Sequence, residues 1–293
     1  MRYRIRHRTV YRYEVPASVS HNVLFLTPRT SDRQKLLRHR VTVHPLPSYR
    51  ARRIDIFGNG YDVIAVESPH RELKIVADSA VEVGPAPEVH SVVDIPFESA
   101  AAALRTPSDE VYLVAAEFTF PSPLVPRLPA AAQYAKSSFP PGRPILEGSI
   151  DLMGRIFREF TYDSRATSVS TPVAEVAKIR RGVCQDFAHF MIACLRSLGI
   201  AARYVSGYLE TLPPPGKPRL VGADASHAWI SVWVPGAGWT DLDPTNNLQP
   251  GERHVALAWG RDYQDVTPVR GVVLGGGADT LEVSVDVAPD VKS

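Results

Sequence analysis

Apolar and polar residues alternate with a period of two from Arg2 to Val15, and similar alternation or β-branched runs recur at Val23–Leu26, Leu37–His44, Arg53–Ile56, Gly60–Glu67 and Glu72–Val83. Pro, Gly, Asn and Ser clusters separate them, and Ile56-Phe57-Gly58-Asn59-Gly60-Tyr61 has the chemistry of a hairpin turn. Several short strands with no helix between them predict an antiparallel β-sandwich over residues 1–85.

The pattern then breaks. Prolines at 85, 87, 96, 107, 121, 123 and 126 mark residues 86–127 as a connecting segment wrapped on the surface, with room for a short helix at Ser108–Glu117. Helical composition follows at Leu128–Ser138 and Ile145–Phe160, the second with Leu146, Ile150, Met153, Phe157 and Phe160 on one face. Thr171 and Pro172 suit the N-cap and first position of a helix running from Val173 to about Arg180. Beyond residue 200, strands are expected at Ala202–Leu209, His227–Val234 and Trp239–Asp243, with an exposed loop at Pro213–Gly216 and a turn at Pro235–Gly238. Gly271–Gly277 reads as a glycine-rich loop without the features of a phosphate loop, and Thr280–Val287 as a final half-buried strand.

One stretch stands apart. From Phe187 to Leu198 nearly every position is apolar, which predicts a helix buried on all sides, with Gly182 before it and Gly199 at its C′ position. Cys184 stands at the N-terminus of that helix. Unpaired N–H groups and the positive end of the macrodipole there favour a thiolate and can bind an oxyanion. Taken alone, a free cysteine is more often a small buried hydrophobe.

Composition narrows the alternatives. The chain has 293 residues and is 44% hydrophobic, enough for a sizeable core. No signal-like apolar segment follows Met1 and no run approaches a membrane span, so a cytoplasmic location without membrane association is expected. Residues 1–53 hold thirteen Lys or Arg against Glu14 and Asp32. Arg2, Arg4, Arg6 and Arg8 fall on one side of a strand, opposite Tyr3, Ile5 and His7, so this charge reads as a solvated face and not as a nucleic-acid site. The two cysteines, Cys184 and Cys194, lie ten residues apart on one helix, about 15 Å along its axis, too far for a disulfide. Adding His189 makes no metal site, because steps of five residues point the three groups apart; Cys194 is read as core, and no metal or cofactor is expected.

A thiolate nucleophile needs a general base and a group to orient it. His227 and Asp243 lie in one predicted hairpin at even separation, so a register pairing odd with odd residues sets them side by side. Asp241 has the same parity. Asp243 is preferred because Pro244 ends its strand near the rim that carries His227, whereas Asp241 lies nearer the turn.

The runs Gly182-Val183-Cys184-Gln185-Asp186-Phe187-Ala188-His189, Arg203-Tyr204-Val205-Ser206-Gly207-Tyr208, His227-Ala228-Trp229 and Gly238-Trp239-Thr240-Asp241-Leu242-Asp243-Pro244-Thr245 resemble the core motifs of bacterial transglutaminase-like proteins, relatives of animal transglutaminases and papain-like proteases. The core resemblance spans roughly residues 155–250; residues 1–85 resemble the β-rich N-terminal region of bacterial members, and Gly260-Arg261-Asp262-Tyr263 with the last strand fits their C-terminal part. The resemblance implies Cys184 as nucleophile, His227 as base and Asp243 as its orienter, with Gln185, Asp186 and Trp229 supporting. An α+β protein follows: an N-terminal β domain (1–85), a connecting segment (86–127), a papain-like core (128–250) and C-terminal strands packed on the rest (251–293). The implied activity is cysteine acyl chemistry on a peptide or protein amide, with hydrolysis by a peptidase or amidase preferred. Amine transfer by a transglutaminase and a non-catalytic scaffold are the alternatives. No acidic calcium loop like that of the animal enzymes is evident.

Overall fold

A computed structural model describes residues 1–86, 94–211 and 225–290. The first five strands are β1 (Arg2–Leu24), β2 (Gln34–His44), β3 (Tyr49–Ile54), β4 (Gly60–Val66) and β5 (His70–Val83). Helices α1 (Phe97–Arg105), α2 (Glu110–Glu117), α3 (Pro129–Ala135) and α4 (Ile145–Glu159) follow. A short β6 (Thr161–Tyr162), α5 (Val173–Ile179) and β7 (Arg181–Gly182) lead into α6 (Cys184–Ser197). The chain ends with β8 (Ala202–Leu209), β9 (Ala225–Val234), β10 (Gly238–Leu242), β11 (His254–Gly260), β12 (Val269–Gly275) and β13 (Asp279–Pro289). The expected loop at Pro213–Gly216 lies outside the described residues. No helix among those described is long and apolar enough to cross a membrane.

The strands at the N-terminus are antiparallel, but hydrogen bonding joins them into one curled sheet instead of two separate layers. Its order is β2-β5-β1-β4-β3, and β12 and β13 also pair with β1. The 23-residue β1 makes this possible. Its first half lies between β5 and β13, its second between β4 and β12, and the register slips between Arg12 and Ala17, around Pro16. Proline lacks the N–H a ladder requires, so the strand turns there and one segment serves two wings. Curling brings Leu24, Val41, Val43, Ile64, Leu73 and Ile75 together in a core between the wings.

Across the β1 pairings, the arginine-bearing face finds its counterions. Arg2, Arg4, Arg6 and Arg8 bond Glu82, Asp290, Asp78 and Glu282 on the flanking strands or just beyond them. The basic charge of this face of β1 is thus answered by acidic neighbours. Tyr3 and Ile5 on the opposite face enter a large core shared with the helices and the second sheet.

That second sheet, order β10-β9-β8-β11, carries α6 on one face. Every residue of α6 from Asp186 to Arg196 is buried, as the apolar run predicts, and Gly199 follows at φ +78°. Cys194 is fully buried, and burial pushes its thiol well up.

Several boundaries differ from the sequence reading. Residues 86–127 are not purely connecting: α1 buries Ala100, Ala101 and Leu104, a stripe short enough to be masked by the surrounding prolines. The buried face of α4 includes Ile145, Ser149, Leu152, Met153 and Ile156; of the expected face Met153 and Phe160 are buried, whereas Ile150 and Phe157 are 40% and 46% exposed. Phe139 packs against the helix at Gly148, where a Cβ would stand 2.4 Å from its ring. Pro172, not Thr171, occupies the N-cap of α5. Much of the glycine-rich stretch 271–277 is strand β12, with the turn confined to Gly275, Gly276 and Gly277, all at positive φ. Finally, residues 251–293 divide between the two sheets: β11 completes the α6 sheet, while β12 and β13 complete the N-terminal one.

Candidate active site

A carboxylate locks the start of α6. Asp186 Oδ2 accepts from the Val183 backbone N–H at 2.8 Å and from the Thr167 hydroxyl at 2.6 Å. Burial raises the pKa of Asp186, while those two hydrogen bonds pull it down; burial prevails. A Cβ at Gly182 would lie 2.4 Å from the same oxygen, so only glycine leaves the carboxylate its place. Gln185 donates through Nε2 to Val169 O at 3.1 Å, tying the preceding loop to the first turn. Cys184 is therefore held as the first helical residue, partly exposed. The N–H groups of Cys184 and Gln185 precede the first helical bond, from Phe187 N to Val183 O at 3.1 Å.

The hairpin delivers its residues as parity requires. β10 pairs with β9 so that Asp241 faces Ser231 and Leu242 faces Ile230, which continues to Asp243 beside the line of His227 and Trp229. His227 Nε2 lies 2.7 Å from Asp243 Oδ2. Asp241 is engaged elsewhere, accepting from Ser231 Oγ and from Arg33 at 3.3 Å. With Nε2 taken by Asp243, the hydrogen bond between His227 and Cys184 falls to Nδ1. Burial disfavours the His227 cation, but hydrogen bonds to Asp243 and Cys184 together with their charges outweigh it and push His227 up to about 10. Burial likewise opposes the Asp243 anion. Donors from His227, His254 and Asn246 prevail and hold that carboxyl far below the usual range.

Asn246 and His254 were not singled out from the sequence. Asn246 Nδ2 donates to Asp243 Oδ2 at 2.7 Å, and the backbone N–H groups of Thr245 and Asn246 reach Oδ1 at 2.9 and 3.2 Å. His254 Nε2, from β11, lies 3.2 Å from Asp243 Oδ2, and its ring meets Trp229 edge-on at 5.3 Å. Burial lowers His254, so its neutral ring donates to the carboxylate. The turn at Asp243-Pro244-Thr245-Asn246 carries an Asx signal that could have exposed Asn246. His254 depends on strand order and has no local signal.

His227, Asp243 and His254 each offer one ligand atom, all within 4.8 Å of one another. These atoms are already hydrogen-bonded among themselves, so a cation there would have to displace that network. In front of Cys184 and His227 lies a cleft of about 240 Å³, walled partly by Tyr204 and Tyr263 and partly by side chains from β1 and β13. His189 is buried beyond it, where its Nε2 accepts from Tyr263 N at 3.1 Å.

Residues 3–82 match the Bacterial transglutaminase-like N-terminal region, and residues 136–244 match the Transglutaminase-like superfamily. The chain belongs to the bacterial transglutaminase-like family. An uncharacterized relative from Mycobacterium tuberculosis H37Rv is 45% identical over 98% of this chain and 93% of its own. One from Mycobacterium leprae is 34% identical over 98% of both. A protein-glutamine gamma-glutamyltransferase of Pseudomonas aeruginosa is 32% identical across 34% of this chain and 16% of its own length. Among solved structures, a Cytophaga hutchinsonii protein described provisionally as a cysteine protease superposes with a TM-score of 0.76 at 20% identity, covering 100% of this chain and 92% of that one. This last likeness shows that the whole architecture, curled sheet included, is shared with that protein.

Proposed function

We propose that the protein performs cysteine-dependent acyl chemistry on peptide or protein amides, with Cys184 as nucleophile, His227 as acid and base, and Asp243 as orienter. The observation that carries this reading is the hydrogen-bonded chain from the partly exposed Cys184 through His227 to the buried Asp243, closed by the 2.7 Å bond between the last two. With His227 already carrying the proton of the pair, Cys184 Sγ attacks the amide carbonyl, and the oxyanion is met by free N–H groups at the start of α6. His227 then gives its proton to the leaving nitrogen, the C–N bond breaks, and a thioester on Cys184 remains. Throughout, Asp243 keeps the ring oriented and stabilises its cation. Gln185 and Asp186 support the helix start, and Trp229 supports His254 behind Asp243.

Water releasing the thioester makes the protein a peptidase or amidase, and this outcome is preferred because water needs no dedicated site. Amine release, making it a transglutaminase, is the second reading, supported by the similarity to the Pseudomonas aeruginosa protein-glutamine gamma-glutamyltransferase. Product masses decide between them. Short peptides, some containing glutamine, are incubated with and without a primary amine, with Cys184→Ala as control. Cleavage or deamidation that persists with amine present is expected. Predominant amine incorporation that depends on Cys184 overturns the preference for hydrolysis.

A further inference from the structure

In the antiparallel register of β1 and β13, His7 lies opposite Val285, Thr9 opposite Val283 and Tyr11 opposite Leu281. Opposed residues, and residues two apart, share a sheet face, so these six side chains form one continuous strip. Toward one end the strip is sealed, with Ile5, Val285 and Val287 buried in the common core. Toward the other it opens into the cleft at Cys184, where Thr9, Tyr11, Leu281 and Val283 are part of the wall.

At that open end Leu281 is 56% exposed and Val283 48% exposed. Scattered apolar side chains on a surface are ordinary. These two are not scattered: they extend the apolar wall of a cleft that holds the candidate nucleophile. Val183, Tyr263, Pro268 and Val269 line the same cleft. Among the described residues lining the cleft there is no Asp, Glu, Lys or Arg. Its polar groups are hydroxyls, the Gln185 amide and two histidines. His7 hydrogen-bonds Tyr208 and Thr9 at 2.9 Å each, and burial pushes it down to about 4, so it is neutral at physiological pH.

We propose that the β1–β13 face is the specificity wall of the active site, receiving an uncharged aliphatic or aromatic residue of a polypeptide next to the amide that Cys184 attacks. The inference rests on Cys184 being the nucleophile. An ammonium placed there would lose hydration without gaining a counter-charge from the described wall, and a carboxylate would meet only the His227 ring, which Asp243 already engages at 2.7 Å. At about 240 Å³ the cleft is smaller than pockets for drug-sized ligands, which suits a single side chain. The N-terminal sheet then does more than support the core, because it selects what reaches the thiol.

The test needs no known substrate. Cys184 of the full chain is alkylated with plain iodoacetamide and with three N-benzyl iodoacetamides, one unsubstituted, one bearing a para-carboxylate and one a para-trimethylammonium group. Rates come from peptide mapping and are divided by the rate of each reagent with free cysteine. The unsubstituted benzyl reagent should exceed both charged ones by about tenfold or more, the discrimination expected of an apolar pocket. In Leu281→Asp/Val283→Asp the ratio of benzyl reagent to iodoacetamide, taken within that protein, should collapse toward one. Should the aspartates disturb the strand, Leu281→Asn with Val283→Thr should lower the same ratio. Equal rates for neutral and charged reagents, or a ratio unchanged in a folded double variant, overturn the specificity wall and leave the nucleophile in place. Failure of iodoacetamide itself to label Cys184 strikes the nucleophile, and the wall falls with it.

Discussion

Asp243→Asn isolates the electrostatics of the site. In the native protein Asp243 Oδ2 faces His227 Nε2 at 2.7 Å, Asn246 Nδ2 at 2.7 Å and His254 Nε2 at 3.2 Å. A carboxylate oxygen can accept from all three; an amide either turns its NH₂ toward these donors or keeps its oxygen there without the charge. His227 is held at about 10 against the pull of burial by Asp243 and Cys184 together. Loss of the carboxylate leaves burial opposed by Cys184 alone, so His227 should fall toward its ordinary value of about 6.5. A fall of that size is worth at most about 5 kcal/mol between the charged and neutral ring, an upper bound because Cys184 contributes to the same rise. The assay is a pH titration of the imidazole nitrogens by NMR. His227 should stay protonated to about pH 9 or beyond in the native protein and titrate below about 8 in Asp243→Asn. Iodoacetamide labelling of Cys184 at neutral pH should slow in the same variant, and Asp241→Asn should change either readout far less. If His227 of the Asn variant still titrates near 10, the carboxylate is not what holds its proton and the roles assigned here are wrong.

Two further outcomes follow from packing and linkage. Because His227 is raised when folded, its contribution to stability is fully present below about pH 6.5 and is lost as pH rises through about 10; Asp243, which is lowered, contributes above about pH 4 and loses its share as pH falls below that. Thermal unfolding should therefore show a midpoint that declines on both sides of a window from about pH 4 to 6.5, and Asp243→Asn should flatten both slopes. Separately, a Cβ at Gly207 would lie 2.2 Å from Val255 O and 2.5 Å from the Trp229 ring, so Gly207→Ala should cost about 1–3 kcal/mol, and chemical denaturation showing no loss would contradict that packing.

How much of this was legible in the sequence depended on whether the signal was local. The all-round apolar run after Cys184 declared a buried helix, and even parity declared that His227 and Asp243 could meet; both rest on periods that a few residues contain. The choice of Asp243 over Asp241 also came from a local feature, the proline that ends the strand. Features that depend on distant pairing left little trace. Nothing near His254 announces that β11 lies next to β8 and turns that ring toward Asp243. Nor does Leu281 look different from any other residue on an alternating strand until its pairing with Tyr11 carries it to the cleft. On α4 the period was right and the face partly so: Met153 and Phe160 are buried as expected, while Ile150 and Phe157 turn outward, and nothing local to the helix marks that difference.

The joining of β1 to β13 also sets an order of assembly during synthesis. Tyr3 pairs with Pro289 and Tyr13 with Asp279, so one edge of β1 stays without its partner until translation has run on through β13. At about 5–20 residues per second that interval is on the order of tens of seconds. The nascent chain carries an open strand edge for all of it, the condition that invites mispairing. Cys184, His227 and Asp243 all leave the ribosome before β13 does, so the thiol and its partners can meet while one wall of their cleft is still missing. A nascent chain that stalls before Asp279 would leave Cys184 unshielded on that side.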